Sequence, residues 1–366
     1  MKHQNNKKVN STVFVGLSGG VDSAVSAYLL KKQDYKVVGA FIKTWQPEWM
    51  PCTWKEERRD AMRVAAHLDI PFITIDLEKE YKEGVADYML SEYKKGRTPN
   101  PDVMCNKEVK FGAFLKKAIE MGADYVATGH YAQIGATSKL SAPGLRLLKA
   151  KDEEKEQSYF LWTLKQKQLE KILFPIGHLK KPEVRKIAKK IDLPNAEKKD
   201  SQGICFIGKV GMKDFLSHYI PKQRGRVLDI KGKEIGTHDG AVFYTIGERH
   251  GFTIKEKGTD DSPLYVIEKN MKLNTLSVGT KENLENEIGK VSREIKIADT
   301  NWINNEPKEN VVYETQVRYH QKMQKAFLKK EDSAYKVIFK EPQTGASGQS
   351  IVLYDKDTCL GGGVII

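Results

Sequence analysis

The chain has 366 residues, 40% hydrophobic and 30% charged, with 29 Gly and 13 Pro. That length calls for two or three domains, each large enough to bury a core, and the composition excludes a wholly disordered, collagenous or coiled-coil protein. A net charge of +13, spread along the chain, raises the prospect of a polyanionic partner such as nucleic acid, although a basic solvated surface would look the same.

In chain order, residues 1–10 are rich in Lys and Asn and lack the apolar run of a signal peptide. No stretch of about 20 apolar residues follows, so the expectation is a cytoplasmic protein away from membranes. Residues 13–16 form an apolar strand, 17–22 a Gly-rich turn and 23–32 a helix by their apolar spacing. A strand at 37–42, a helical stripe through Ala61, Val64, Ala65 and Leu68, and a strand at 71–75 complete a β-α-β-α-β series. Residues 106–121 read as a helix, 125–128 as a strand, 135–156 as a polar hairpin or loop, 159–173 and 182–191 as helices and 204–207 as a strand. Such alternation predicts an α/β domain with a mostly parallel sheet, its ligands beyond the carboxyl ends of the strands. From about residue 210 the pattern changes to short β-rich runs at 226–230, 241–246, 264–268, 275–278, 287–297, 311–318, 334–339 and 349–354, which suit two small antiparallel modules. The expected domains are therefore 1–210, 211–284 and 285–366.

The first chemical motif is the strand-to-helix turn Gly16, Leu17, Ser18, Gly19, Gly20, Val21, Asp22, Ser23. It has neither the Lys of a Walker loop nor the spacing of a dinucleotide fingerprint. Its glycines nevertheless permit close backbone approach, and its serines and helix amides offer hydrogen bonds to phosphate oxygens, so pyrophosphate is the natural guest. The second motif runs from Thr98 to Asn106: Asn100 can cap a helix, Pro101 can occupy its first position, and Asp102 and Cys105, three apart, can face one cavity. The helix terminus favours a Cys105 thiolate and Asp102 opposes it, so the net effect stays open. The four cysteines, Cys52, Cys105, Cys205 and Cys359, contain no CxxC pair and support neither a disulfide-dense fold nor a zinc site. Cys205 stands where a polar Gly-containing turn enters an apolar strand; Cys52 and Cys359 are read as structural or incidental. The loop from Trp45 to Trp54 either covers a site or closes one end of the core.

Taken together, GLSGGVDS at 16–23, TPNPDVMCN at 98–106, ATGHYA at 127–132, QSYFL at 157–161, DSQGICFIG at 200–208, YTIGERHG at 244–251 and CLGGG at 359–363 resemble the bacterial tRNA-specific 2-thiouridylase family, within the PP-loop ATP pyrophosphatases, across nearly the whole chain. The resemblance implies an ATP- and Mg-dependent enzyme that adenylates the C2 oxygen of the wobble uridine in tRNAs for Lys, Glu and Gln and replaces it with sulfur. It implies a persulfide on Cys205, with Cys105 as the partner nucleophile able to close a disulfide with it, and Asp102 as an acid/base or base-orienting group. The ATP site would be residues 16–23 with Ile42 and Gly129, and Asp22 would organise the metal-bound pyrophosphate. Asn100, Pro101 and Asp102 would meet the target base, while His130, Lys155, Glu156, Gln157, Arg318, Tyr319 and Gln349 would touch tRNA. The sulfur donor would be a cysteine desulfurase or a small sulfur-relay protein, and the chain is expected to be a monomer.

Several positions depart from the family pattern: Ile42 replaces Met, Glu156 replaces Asp, Ser347 replaces Pro and Glu248 replaces Gln. Glu248 cannot donate an amide hydrogen bond and is expected to repel phosphate. Two other readings compete. Another PP-loop amidating or synthetase enzyme would not need both Cys105 and Cys205, and a noncatalytic tRNA-binding protein would not need the intact 16–23 motif.

Overall fold

Val13 and Val15 point to one face of a strand and Phe14 to the other, and all three are buried, so the first strand of the chain needs cover on both sides. The computed structural model describes residues 10–51, 53–136, 144–199, 211–255, 262–283 and 293–366, and it supplies that cover with a doubly packed parallel sheet. Its strands are β1 (Thr12–Gly16), β2 (Lys36–Lys43), β3 (Phe72–Asp76), β4 (Tyr125–Ala127) and the short β7 (Ile172–Leu173), in the order β3-β2-β1-β4-β7. All pairings are parallel. One core gathers Phe14, Ala40, Ile42 and Val126 with Phe111 and Phe114; the opposite core gathers Val13, Val15, Phe41 and Ala127 with Ala24 and Val64. Each fully buried Val, Ile or Phe side chain here stabilises the fold by about 1.5–3 kcal/mol. The chain runs outward from β1 to β2 and β3, then returns to pair β4 on β1's other side. This reversal opens a crevice at the carboxyl ends of β1 and β4.

The expected helix at 106–121 begins earlier, at Pro101, and changes pitch on the way: Pro101–Met104 and Leu115–Glu120 are α-helical, while Cys105–Phe114 is wound as a wider π-helix. The helix expected over 159–173 is not formed. Ser158–Leu161 makes one 3-10 turn, Gln166–Leu169 a short helix and Ile172–Leu173 the strand β7. Tyr159, Leu161, Trp162 and Leu164 are all buried, so this segment is packed on every side and carries no single apolar stripe. The Asn301 side-chain amide donates to the carbonyls of Trp162 and Leu164, at 2.8 and 3.0 Å, in place of helical amides. The strand expected at 204–207 lies outside the described residues.

The 135–156 region contains a hairpin, β5 (Gln133–Ala136) with β6 (Leu145–Leu148), and it joins the far end of the chain: Leu148 pairs with Thr358 and Leu147 with Cys359. The middle sheet comprises β8 (Gly225–Leu228), β9 (Glu234–His238), β10 (Thr253–Ile254), β11 (Tyr265–Asn270) and β12 (Thr275–Gly279), antiparallel except for β8 against β12. The run expected as a strand at 241–246 instead starts with a 3-10 turn, Ala241–Phe243. Phe215, Phe243 and Tyr244 of this module pack with Met50, Met89 and Tyr93 of the first domain. The last sheet holds β13 (Glu294–Trp302), β14 (Tyr313–Gln316), β15 (Gln324–Glu331), β16 (Ala334–Phe339), β17 (Ser350–Asp355) and β18 (Thr358–Ile365). Pairing of β13 with β18 closes these six strands into a barrel, to which the β5–β6 hairpin is attached through β18. Among the described residues no helix is long and apolar enough to cross a membrane.

Candidate active site

The loop after β1 is held open by its glycines. Gly19 has φ +73° and a Cβ there would lie 2.8 Å from the Glu57 carbonyl, so only glycine fits. Gly20 is extended and precedes the helix Val21–Lys31. Leu17 is buried and its amide donates to Ala40 O; the Ser23 hydroxyl donates to Gly20 O at 3.1 Å and accepts from the Ser18 amide at 3.3 Å. Gly129, just past β4, presses against the same turn, because a Cβ there would come within 2.7 Å of the Ser23 nitrogen. Ile42 reaches Gly16, with Cδ1 3.8 Å from where a Cβ would stand. All of the expected nucleotide residues therefore converge at the carboxyl ends of β1, β2 and β4, around a helix N-terminus able to receive an anion.

Asp22, in the first turn of that helix, does not stand alone. Lys181 places its ammonium 2.8 Å from both carboxylate oxygens, and the Tyr131 hydroxyl donates to Oδ1 at 2.8 Å. Tyr131 is in turn fixed by Gln157, whose side-chain Oε1 accepts from the Tyr131 backbone amide at 3.0 Å and whose backbone N–H donates back to Tyr131 O. Asn195 donates its side-chain amide to Gly19 O at 3.0 Å. Lys181, Tyr131 and Asn195 are the residues that motif reading missed.

The second half of the site starts at Asn100, whose Oδ1 caps the helix Pro101–Met104 by accepting from the Val103 amide at 3.3 Å, with Pro101 at the first helical position. Its side chain also bonds Tyr159, whose hydroxyl donates to Ser350 O at 2.9 Å. Asp102 is half-buried beside Tyr319. Burial first, then the charges of Glu156 and Asp102, push the Tyr319 hydroxyl up to about 12, so it stays a neutral donor. Tyr319 packs on Phe160 with ring centres 4.4 Å apart, and its neighbour Arg318 is exposed. Glu156 accepts from the Ser158 amide at 2.6 Å, and burial raises its carboxyl above the usual range. Lys155 is half-buried in the same segment. Cys105 is 1% exposed, inside the core with Val103 and Val109. Cys52 and Cys205 lie outside the described residues.

His130 lies between the two halves but is buried. A lysine ammonium can only donate, so Lys110, 3.4 Å from Nε2, makes that nitrogen the acceptor and leaves Nδ1–H to donate to the Thr128 hydroxyl at 2.7 Å. Burial, then the Lys110 charge, holds the imidazole well below its usual pKa, and both ring nitrogens are engaged within the protein. Gln349 is likewise engaged, donating to the carbonyls of Thr98 and Pro99.

Family profiles described as "tRNA methyl transferase HUP domain", "tRNA methyl transferase PRC-barrel domain" and "Aminomethyltransferase beta-barrel domain" match residues 11–209, 213–280 and 292–365. The chain is 46% identical to the tRNA-specific 2-thiouridylase MnmA of Streptococcus mutans serotype c over 96% of its own length and 94% of the relative's. It is 47% identical to the protein of the same name from Staphylococcus saprophyticus, over 97% and 95%. The chain belongs to the tRNA-specific 2-thiouridylase family. A solved structure, the U34-tRNA thiolase NcsA from Methanococcus maripaludis with its [4Fe-4S] cluster, is 18% identical over 58% of this chain and 68% of that one, with a TM-score of 0.35.

Within this family's pattern, Glu248 turns inward. Its Oε2 accepts from the Thr245 amide at 3.0 Å, and its carboxyl is raised by burial, an effect partly countered by that same bond and by Lys213, His250 and Lys269. The substitution of Glu for Gln therefore keeps an acceptor that a local turn uses. Among the described residues no group of three or more His, Cys, Asp or Glu side chains is arranged to hold a metal.

Proposed function

We propose that the chain performs the family's ATP-dependent 2-thiolation of the wobble uridine in tRNAs for Lys, Glu and Gln, with its residues dividing the work as follows. ATP rests on residues 16–23 with its adenine near Ile42 and Gly129, and its pyrophosphate end faces the N-terminus of the helix Val21–Lys31. Asp22 is the protein oxygen that would hold Mg beside the phosphates. The fit is supported by its position in the first turn of that helix, where a cation, the Lys181 ammonium, already bonds both carboxylate oxygens. Mg would supply charge neutralisation of the leaving pyrophosphate. Lys181 then passes from Asp22 to a phosphate oxygen.

Asn100, Pro101 and Asp102 receive the target base, with Asp102 orienting it or moving its proton. Lys155, Glu156, Gln157, Arg318 and Tyr319 meet the surrounding tRNA, and His130 and Gln349 support that surface from within. Adenylation of the C2 oxygen makes AMP the leaving group. The terminal sulfur of a Cys205 persulfide attacks C2; AMP departs with the oxygen, leaving the base joined to Cys205 through an S–S bond. The Cys105 thiolate attacks the Cys205 sulfur, that S–S bond breaks, the outer sulfur stays on the base, and a Cys105–Cys205 disulfide forms, to be reduced by external thiol before the next turnover. The domains act as 1–210 for chemistry and 211–284 and 285–366 for tRNA. A monomer in the cytoplasm takes sulfur from a cysteine desulfurase or relay protein.

The observation that carries this reading is the continuity of the two half-sites: Gln157 holds Tyr131 on Asp22, while the adjoining Glu156 and Asp102 both bear on Tyr319. The profile descriptions name a methyl transferase, and the decisive experiment separates the two chemistries. Purified protein is incubated with tRNA, ATP, Mg and a persulfide donor, and the nucleosides are analysed by mass spectrometry. ATP-dependent exchange of oxygen for sulfur on uridine is expected; a methyl increment, or tRNA binding without product, would overturn the proposal.

A further inference from the structure

The helix that carries Asp102 and Cys105 starts from a four-residue segment, Arg97 to Asn100, that is gripped by both β-rich modules. Arg97 forms a paired hydrogen bond with the buried carboxylate of Glu92, which fixes the near end to the first domain. From the terminal barrel, Ser347 O accepts from the Thr98 amide at 2.8 Å, and the Gln349 side-chain amide donates to Thr98 O at 2.8 Å and Pro99 O at 3.1 Å. Between them Gly348 takes φ +94° and lies so close that a Cβ would fall 2.9–3.0 Å from the Thr98 backbone. From the middle module, the Thr245 hydroxyl meets the Thr98 hydroxyl at 3.3 Å.

A primary amide has two hydrogens, and Gln349 commits both to this segment. Pro99 and Pro101 limit the backbone freedom of the same stretch, so the two carbonyls, the Thr98 amide and the cap at Asn100 together define where the helix begins. We propose that Gln349 is a positioning residue for sulfur transfer: through Thr98 and Pro99 it sets the placement of Asn100, Asp102 and Cys105, and it couples tRNA docking on the terminal barrel to the base-receiving helix. The inference rests on the chain being a tRNA thiolase.

The test uses the full chain with Gln349→Met, which keeps the length and removes the donors, and Gln349→Glu, which sets a carboxylate against two carbonyls. Single-turnover formation of thiolated uridine is measured at saturating ATP and tRNA on persulfide-loaded protein, beside tRNA affinity across a salt series and ATP affinity. A displacement of about 1 Å at a reacting group costs on the order of 100-fold. The expected result is therefore a rate lowered roughly 10- to 100-fold, with tRNA and ATP affinities within about threefold of the unsubstituted chain. Thr245→Val releases the same segment from the opposite side without touching the barrel, and it is expected to show the same split to a smaller degree. Thermal unfolding and circular dichroism confirm that each variant is folded. A large loss of tRNA affinity with an unchanged rate at saturation would make Gln349 an RNA contact and overturn the proposal, as would an unchanged rate in every folded variant. Failure of the parent reading looks different: the unsubstituted chain itself would make no thiolated product.

Discussion

At the scale of single residues, Lys181 has the most instructive position. It opens the helix Lys181–Lys190, where the dipole disfavours a cation, and it is repaid there by Asp22, whose two oxygens it bonds. A lysine at a helix start is thus a sequence signal for a missing counter-charge, but its partner lies 159 residues away and the partner's other donor, Tyr131, 109 residues away. The 16–23 motif marked the loop proposed to receive phosphate; local pattern could not show what holds its carboxylate. A charge-assisted hydrogen bond contributes about 1.5–3 kcal/mol, so Lys181→Met is expected to weaken ATP binding by roughly 10- to 100-fold in calorimetry and leave tRNA affinity nearly intact. Asp22→Ala is expected to lower single-turnover sulfur transfer by at least about 100-fold while most tRNA binding survives, because the pyrophosphate end is local and the RNA contacts are distributed. Unchanged thiolation by Asp22→Ala under saturating ATP and tRNA would remove that residue from the chemistry.

At the scale of elements, the turn after β14 joins two different contributions: Arg318 is exposed and free to meet a phosphate, while Tyr319 packs on Phe160 and faces the Asp102 charge. Arg318→Ala is therefore expected to weaken tRNA binding uniformly across the cognate tRNAs and to reduce the slope of log affinity against log salt by about 1. Tyr319→Ala is expected to act mainly on the transfer rate. A double variant that keeps its fold and binds tRNA normally through a salt titration would show that the turn contributes nothing to tRNA docking. Elements were legible where burial is simple. The central strands β1 and β2 are covered on both faces and read as apolar runs, and Gly20 and Pro101 mark where helices begin. They were illegible where packing replaces pattern. Ser158–Leu161 buries three of its four residues, β15 sets a short apolar block, Ala326, Phe327 and Leu328, between lysines on a half-solvated barrel wall, and β18 carries Gly361, where a Cβ would fall 2.0 Å from Asn301 O.

At the scale of the whole molecule, the terminal barrel is joined to the first domain at two places, through the β5–β6 hairpin on β18 and through the 347–349 turn on Thr98, so the proposed chemistry and the proposed RNA surface share one framework. Within that framework Cys105 is only 1% exposed, and a disulfide requires Cα atoms within about 7 Å. In the proposed mechanism this buried thiol must become accessible before it can attack, and the wider π-helical winding from Cys105 to Phe114 is the place proposed to yield. Cys105 is expected to react slowly with a thiol reagent in the free protein and faster with tRNA and ATP bound, while Cys205 takes the persulfide. Each cysteine is replaced by Ser, the proteins are loaded from a labelled persulfide donor, and the sulfur is mapped by mass spectrometry under nonreducing conditions. The expected outcome is label on Cys205 in the parent and in Cys105→Ser, with the Cys105–Cys205 disulfide only in the parent after transfer. Stable label mainly on Cys105, or normal multiple turnover by Cys205→Ser, would reverse the direction of transfer. Equal reactivity of Cys105 with and without tRNA and ATP would show that its burial plays no part in timing the second step.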